Sequence, residues 1–171
     1  RRLELNDSGI GWIFSLSALL WVLASPYWGR LSDGVGRKPT IAFGLFAYSI
    51  SMAAFGTAVM LGQSGALSGF ALFISLVLAR SIFGAFGSAS SPSAQAYIAD
   101  RTTAFERTAQ LAGLSSAFAV GQAFGPGICA WLTARLGAVF PIWMVGVLAL
   151  CASLAILFFL PERTAPHAKR A

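Results

Sequence analysis

Ionisable side chains are scarce in this sequence, since Asp, Glu, Lys and Arg make up 11% of its 171 residues. Soluble globular domains average about 25% charged residues, and the mean hydropathy of +0.73 departs from them in the same direction. A net charge of +6 could suggest a nucleic-acid partner, but the basic residues form small clusters between long apolar runs rather than a stripe on a polar surface. The composition therefore predicts a lipid bilayer as the surroundings of the chain and no nucleic-acid partner.

Histidine and cysteine are also rare, and the apolar runs contain no acidic residue. The chain has one His and two Cys, and its six acidic residues all lie outside those runs. An intramembrane hydrolase would need a nucleophile beside a His, Asp or Glu, so that class of enzyme has no candidate residues here. The spacing of Cys and His fits no metal site, and Cys129 and Cys151 are predicted to be free thiols that fill space between helices. We therefore expect neither catalysis nor a metal or cofactor.

Long runs without charge predict membrane-spanning helices. A helix needs about 20 apolar residues to cross about 30 Å of hydrocarbon. The run at 39–79 is too long for one crossing, and the turn-forming residues of "LGQSGALSG", at 61–69, divide it. No run alternates with the period of a membrane β-strand, so the predicted fold class is all-α, a polytopic membrane helix bundle. The predicted spans lie near residues 8–28, 41–61, 69–98, 108–133 and 138–160.

The positive residues are unequally distributed between the two sides of this predicted bundle, eight on one side and three on the other. Because Lys and Arg in short loops remain cytoplasmic, the N-terminus is expected outside and the C-terminus inside. The chain begins at Arg1 with neither Met nor a signal peptide, so we expect a further helix upstream. Residues 161–171 are polar and contain two prolines, and we expect them to begin a cytoplasmic linker.

The stretch "GRLSDGVGRKPT", at 29–40, concentrates charge between two predicted spans. It does not fit a phosphate-binding P-loop, because Lys38 follows Arg37 rather than Gly and precedes Pro39 rather than Ser or Thr. A turn kept in the cytoplasm by positive charge would account for Arg37 and Lys38, but not for Asp33 or the glycines. Retention by charge therefore does not explain the whole stretch.

This stretch resembles the signature between helices 2 and 3 of the major facilitator superfamily of transporters. The matching residues are Gly29, Asp33, Gly36, Arg37 and Lys38. The resemblance implies a gating charge cluster of Asp33, Arg37 and Lys38 with an acid at the cytoplasmic end of helix 4, for which the sequence offers Asp100. It covers nearly the whole chain, which would comprise five helices, 2 to 6, of the six-helix N-terminal half, without helix 1 and without the C-terminal half.

Arg80 is the single charged residue within a predicted span. It follows Gly69 by eleven residues, which places it about 16 Å along the helix and near the bilayer midplane. A charge at that depth should face a watery cavity or a buried partner, although a purely structural, snorkelling arginine is an alternative. The segment "LVLARSIFG", at 76–84, is similar to the family's helix 4 motif, with Phe83 where Gln is usual. The resemblance implies a role for Arg80 in proton coupling or in substrate contact.

Small residues recur every four positions in the fourth predicted span. They are Gly113, Ala117, Gly121 and Gly125. This spacing predicts a groove along one helix face, for either tight packing or a moving contact, and Pro126 predicts a kink or hinge beside it. A similar run of small residues begins at Gly84 and is broken by Pro92. The segment "GQAFGPGICA", at 121–130, resembles the helix 5 motif of proton-coupled drug antiporters, and the chain is similar to their tetracycline-exporter branch.

The resemblance implies a secondary transporter that exports small molecules or drugs by proton antiport with alternating access. An importer of sugars or organic acids on the same fold and a non-transporting membrane assembly subunit are the alternatives. Gln122 is predicted either to bind substrate or to join helices. The expected partners are a small-molecule substrate, protons and the lipid bilayer, and the expected location is the bacterial inner membrane. We expect the coupling carboxylate to lie in parts of the carrier outside this chain.

Overall fold

The computed structural model describes residues 7–161. Six α-helices and one short 3₁₀ segment follow one another, and the described part of the chain contains no strand. The elements are α1 (Asp7–Val35), α2 (Arg37–Ser64), α3 (Gly69–Phe86), the 3₁₀ segment (Gly87–Ala89), α4 (Ser90–Arg101), α5 (Ala104–Leu136) and α6 (Phe140–Phe159). Apart from Pro161, the predicted linker at 161–171 lies outside the described residues.

Five of the described helical segments are long and apolar enough to cross a membrane, which confirms the predicted all-α membrane bundle. The third crossing, Gly69–Arg101, consists of α3, the 3₁₀ segment and α4. Its irregular turn precedes Pro92, which has no amide hydrogen and whose ring crowds the carbonyl four residues earlier. The chain therefore tightens locally into a 3₁₀ turn without ending the crossing.

The helices continue beyond several of the predicted spans. α1 ends at Val35 rather than near residue 28, so most of the stretch predicted as a connection is helical. Hydropathy locates only the part of a helix inside hydrocarbon, whereas backbone hydrogen bonding continues into the polar interface. The connection between α2 and α3 is a true turn, in which Gly65 ends α2 with φ 80° and donates its amide to the carbonyl of Gly62.

Hydroxyl groups join the helices through backbone carbonyl oxygens. Ser51 on α2 donates to Ala79 on α3 over 2.7 Å, and Ser153 on α6 donates to Ala42 on α2 over 2.7 Å. α2 therefore lies between α3 and α6. Lipid offers apolar side chains no hydrophobic gain from association, so such bonds and close backbone contacts stabilise the bundle.

Glycines permit the closest of these contacts. A Cβ added to Gly84 on α3 would lie 2.4 Å from the backbone oxygen of Ser17 on α1. A Cβ added to Gly44 on α2 would lie 2.5 Å from the backbone nitrogen of Ser90 on α4. No side chain fits into either contact, so glycine at these positions sets the spacing of α3 from α1 and of α2 from α4.

α5 differs from the other helices because its side chains are exposed along nearly its whole length, with Leu132 its one buried residue. The predicted groove at Gly113, Gly121 and Gly125 has no neighbour among residues 7–161, since a Cβ added there would meet no atom within 4 Å. Sequence spacing shows which residues share a face, but not whether another helix covers that face. Pro126 lies inside α5, which continues to Leu136 without a break.

Candidate functional site

Gly36 is the one residue that separates α1 from α2. Its φ of 113° and ψ of 148° lie in a region that essentially only glycine occupies. Its amide donates to the carbonyl of Ser32 over 3.1 Å, which closes the end of α1. The reversal at this single residue brings Arg37, the first residue of α2, back toward the last turns of α1.

Arg37 links acidic side chains of two different helices. Its guanidinium forms an ion pair with Asp33, four residues earlier on α1. Its Nε also donates to Oδ2 of Asp100 on α4 over 3.0 Å. The structure thus brings together three of the four residues predicted for the charge cluster, including a pair separated by 63 positions in the chain.

The same guanidinium is fixed by uncharged groups of α1. Nη1 of Arg37 donates to the hydroxyl of Ser32 over 2.5 Å and to the carbonyl of Gly29 over 3.4 Å. Ser32 is almost fully buried, and its hydroxyl donates to that same carbonyl over 2.7 Å. Ser32 was not predicted as a site residue from the sequence, although its position directly before Asp33 could have indicated it.

Two residues of the predicted signature take no part in the ion pairs of Arg37. Lys38 is half-buried, and within the described chain it forms no ion pair. Gly29 has open space at its Cβ position, so it contributes its carbonyl oxygen rather than a close backbone contact. The cluster in the structure therefore consists of Ser32, Asp33, Arg37 and Asp100, which we call the charge cluster.

Solvent exposure limits the strength of the charge cluster. The side chain of Arg37 is 22% exposed, whereas those of Asp33 and Asp100 are 61% and 50% exposed. Ion pairs of this kind contribute about 0.2–1 kcal/mol each, so two of them on one guanidinium amount to about 0.4–2 kcal/mol. Such an energy shifts an equilibrium between two conformations by a factor of about 2 to 30, which leaves both conformations accessible.

Arg80, on α3, lies between two aromatic rings. Its guanidinium carbon is 4.8 Å from the ring centroid of Phe83 and 5.3 Å from that of Phe14 on α1. Its Nε is buried without a hydrogen-bond partner among the described residues. A central Arg costs at least about 2.5 kcal/mol on insertion scales, and cation–π contacts of about 0.5–2 kcal/mol each offset part of that cost.

The backbone contacts of α1 and α3 place Arg80 between these rings. The hydroxyl of Ser17 donates to the backbone carbonyl of Arg80 over 2.9 Å, and Gly84 one turn later allows the two helices to approach. Phe14 lies three residues before Ser17 on α1, so its ring extends from the same region of the helix. The contact of the two helices therefore determines what surrounds the guanidinium.

The residues predicted on α5 are not brought to Arg80. Gln122 is exposed, and its side chain forms no hydrogen bond within residues 7–161. Gly113, Gly121 and Gly125 lie along the same exposed helix. The part of the chain that the structure describes contains no group of three or more His, Cys, Asp or Glu side chains that could hold a metal ion. Cys129 is a half-buried free thiol and Cys151 an exposed one.

Comparison with known proteins decides the family. Residues 2–171 match the family profile of the Major Facilitator Superfamily, which is nearly the entire chain. The chain belongs to the Major Facilitator Superfamily. Its five apolar helices agree with an integral membrane location.

Several relatives within the Major Facilitator Superfamily bear names that refer to drug resistance. The chain is 31% identical to multidrug resistance protein 2 of Bacillus subtilis (strain 168) over 160 residues, 94% of this chain and 37% of the relative. It is 28% identical to the tetracycline resistance protein, class B, of Escherichia coli over 152 residues, 89% of this chain and 34% of the relative. The chain thus spans about a third of the length of the curated relatives it matches.

In this member of the superfamily, a second contact between distant segments was not predicted from the sequence. Nη2 of Arg101 donates to the carbonyl of Pro161 over 2.6 Å, and the hydroxyl of Tyr97 donates to the same oxygen over 3.1 Å. The guanidinium carbon of Arg101 also lies 4.2 Å from the centre of the Tyr97 ring. The spacing of four between Tyr97 and Arg101 on a helix was the available signal. This contact joins the end of α4 to the chain just after α6.

Proposed function

We propose that the protein exports small molecules or drugs by proton antiport, with alternating access between two conformations. The observation that carries the proposal is that Arg37 on α2 contacts Asp33 on α1 and Asp100 on α4 at one end of the bundle. Relatives named for multidrug and tetracycline resistance support drugs as the class of substrate. The site residues are proposed to act in gating and coupling rather than in catalysis.

The charge cluster suits a contact that forms in one conformation and breaks in the other. Its ion pairs are partly exposed, so water can replace them when the helices separate. Arg37 connects three helices at once, and a relative movement of any one of them changes its contacts. We propose that the cluster stabilises the conformation in which this end of the bundle is closed.

The midplane position of Arg80 supports coupling or substrate binding at the depth where secondary transporters bind their cargo. The predicted spans contain no Asp or Glu that could exchange a proton. We propose that the coupling carboxylate belongs to the parts of a full-length carrier that this chain does not cover. Gln122 and the glycine face of α5 are proposed to meet those same parts.

The proposed location is the bacterial inner membrane, with the charge cluster on the cytoplasmic side. The excess of Lys and Arg in the connections at that end supports this orientation. The N-terminal end of α1 would then face outward. In this orientation the closed end of the bundle blocks access from the cytoplasm.

The experiment measures transport of a fluorescent drug by the full-length protein in everted membrane vesicles. Acidification of the vesicle interior should drive drug into the vesicles, which corresponds to export from the cell, and a protonophore should abolish it. Asp33→Asn should reduce the initial rate severalfold, whereas Arg30→Gln, at an exposed cation on the same helix end, should leave it unchanged. Undiminished transport by Asp33→Asn would remove the gating role, and solute movement in the opposite direction would indicate an importer.

A further inference from the structure

Phe83 lies at the centre of a group of aromatic side chains from three helices. Its ring centroid is 5.0 Å from that of Trp21 on α1 and 4.7 Å from that of Tyr48 on α2. The guanidinium of Arg80 contacts the same Phe83 ring and also the ring of Phe14. We call Phe14, Trp21, Tyr48 and Phe83 the aromatic cluster. One cation therefore lies beside an apolar, π-rich surface at the midplane.

The position of the Phe83 ring depends on a glycine one turn later. A Cβ added to Gly87 would lie 2.5 Å from Cδ2 of Phe83 and 3.0 Å from its Cε2. Any side chain at position 87 would displace the ring from its place beside Arg80. The ring is therefore fixed by the helix that carries it, as well as by Trp21 and Tyr48.

The guanidinium of Arg80 has unused hydrogen-bonding capacity. Among the residues that the structure describes, its buried Nε has no hydrogen-bond partner and none of the ion pairs includes it. Arginine stays charged and has donors but no acceptor, so its partner must supply an acceptor, and a carboxylate matches its planar fork. Buried donors are normally satisfied, which makes this nitrogen a marker for an acceptor from another molecule or segment.

Of the two rings in contact with Arg80, the one on the side of α1 is the more exposed. Phe14 is 51% exposed within the described residues, whereas Phe83 is partly covered by Trp21 and Tyr48. A flat molecule that reaches Arg80 from this side would place its rings against Phe14. Aromatic pairs of this kind gain energy beyond the area that they bury.

The geometry points to a binding subsite for planar aromatic substrates that carry a carboxylate or a similar anionic oxygen. Arg80 binds the anionic oxygen, Phe14 contacts the ring system, and Phe83 is a positioning residue that holds the guanidinium. This inference rests on the proposed export function and specifies its class of substrate. Cationic substrates are disfavoured at the subsite, because Arg80 repels a like charge in contact with it.

The competing occupant is a carboxylate from a part of the full-length carrier that this chain does not cover. Such a group would neutralise Arg80 within the protein and remove the preference for anions. The two cases differ in a measurable way, since only an unoccupied guanidinium selects an anionic ligand over a cationic one of the same shape.

Binding of two xanthene dyes to the full-length protein in lipid nanodiscs distinguishes these cases. Fluorescein has an anionic carboxylate, and rhodamine 6G has a closely related ring system with an ester and a net positive charge. Fluorescence anisotropy, corrected with empty nanodiscs, should give an affinity for fluorescein at least about tenfold above that for rhodamine 6G, as expected for a charge-assisted hydrogen bond. Equal affinities, or a preference for rhodamine 6G, would overturn the inference.

Variants of Arg80 and Phe83 test whether fluorescein binds at these residues. Arg80→Gln should remove the preference for fluorescein, and Arg80→Lys should recover it only in part, because an ammonium group lacks the planar fork. Phe83→Leu should weaken fluorescein binding severalfold and Phe83→Tyr should restore it. Phe86→Leu is the matched control, since Phe86 stacks on Trp28 and Phe43 rather than on Arg80. Fluorescein binding that survives Arg80→Gln in a protein with unchanged melting temperature would place the anion site elsewhere and refute the assignment.

Transport of the same dyes separates this inference from the proposed function. If fluorescein binds as expected but a proton gradient does not move it, the result supports the subsite and contradicts proton-coupled export. If rhodamine 6G is exported and fluorescein is neither bound nor exported, the result supports export and contradicts the subsite. Selective binding and export of fluorescein, both lost in Arg80→Gln, would support the two proposals together.

Discussion

The hydroxyl of Ser17 on α1 donates a hydrogen bond to the backbone carbonyl of Arg80 on α3, over 2.9 Å. The bond fixes the neighbouring helix against the one residue that carries a charge inside a predicted span. Gly84 lies one turn beyond Arg80, and its missing side chain admits the backbone of Ser17. The contacts that pack α1 on α3 therefore also determine what surrounds the guanidinium of Arg80.

Replacement of Gly84 by alanine should destabilise the protein. Its Cβ would lie 2.4 Å from the backbone oxygen of Ser17, so the helices would have to separate at a cost of about 1–3 kcal/mol. Gly34→Ala is the control, because its Cβ would meet open space within the described part of the chain and alanine favours a helix. Thermal unfolding of the full-length protein in detergent measures both, and equal melting temperatures for the two variants would contradict the close contact.

Gly36→Ala should strain the junction of α1 and α2. The φ of 113° costs a residue with a Cβ about 1–3 kcal/mol, and the junction positions Arg37 for its contacts with Asp33 and Asp100. Transport should therefore fall along with stability. Gly34→Ala, two residues earlier in helical backbone with open space at its Cβ, should keep both. A fully active Gly36→Ala variant would show that the junction can relax into another conformation.

The contact of Arg37 with Asp100 should be measurable as a coupling energy. A double-mutant cycle with Arg37→Gln and Asp100→Asn is expected to give about 0.5–1 kcal/mol in unfolding free energy, and less in high salt because both partners are partly exposed. Arg37→Lys should lose part of this energy, because lysine cannot copy the contacts of Nε and both terminal nitrogens. A coupling of zero at low salt would show that the two helices are joined by other contacts.

Arg101→Ala should loosen the end of α6. The variant loses the hydrogen bond to the carbonyl of Pro161 and the contact with the Tyr97 ring, whereas Tyr97→Phe loses only one donor to that carbonyl. Hydrogen exchange of backbone amides at 157–160 should therefore accelerate strongly in the first variant and weakly in the second. Arg135→Ala removes a cation that stacks on Trp131 and should leave this exchange unchanged. Equal protection in all three variants would show that this contact does not fasten the helix.

The number of crossings and the turn between α2 and α3 could be predicted because each depends only on residues that are close together in the sequence. Hydropathy in a window of helical length measures the transfer of one segment into lipid, whatever its neighbours are. The turn follows from glycine and serine within a few residues. The one-residue junction at Gly36 was predicted as a longer connection, because hydropathy falls where the hydrocarbon ends and not where the helix ends.

The sequence by itself determined that the chain lies in a membrane as helices, that Asp33 and Arg37 are close in the chain, and that a single cation lies within a predicted span. These properties depend on composition, on short spacing and on the length of a helix. Only the tertiary structure decided that Asp100 reaches Arg37 across 63 positions, that Phe14 and Phe83 flank Arg80, and that the glycine face of α5 has no neighbour within residues 7–161. The physical reason is that the apolar surfaces of helices are alike in lipid, so their pairing depends on backbone contacts and hydrogen bonds between distant segments.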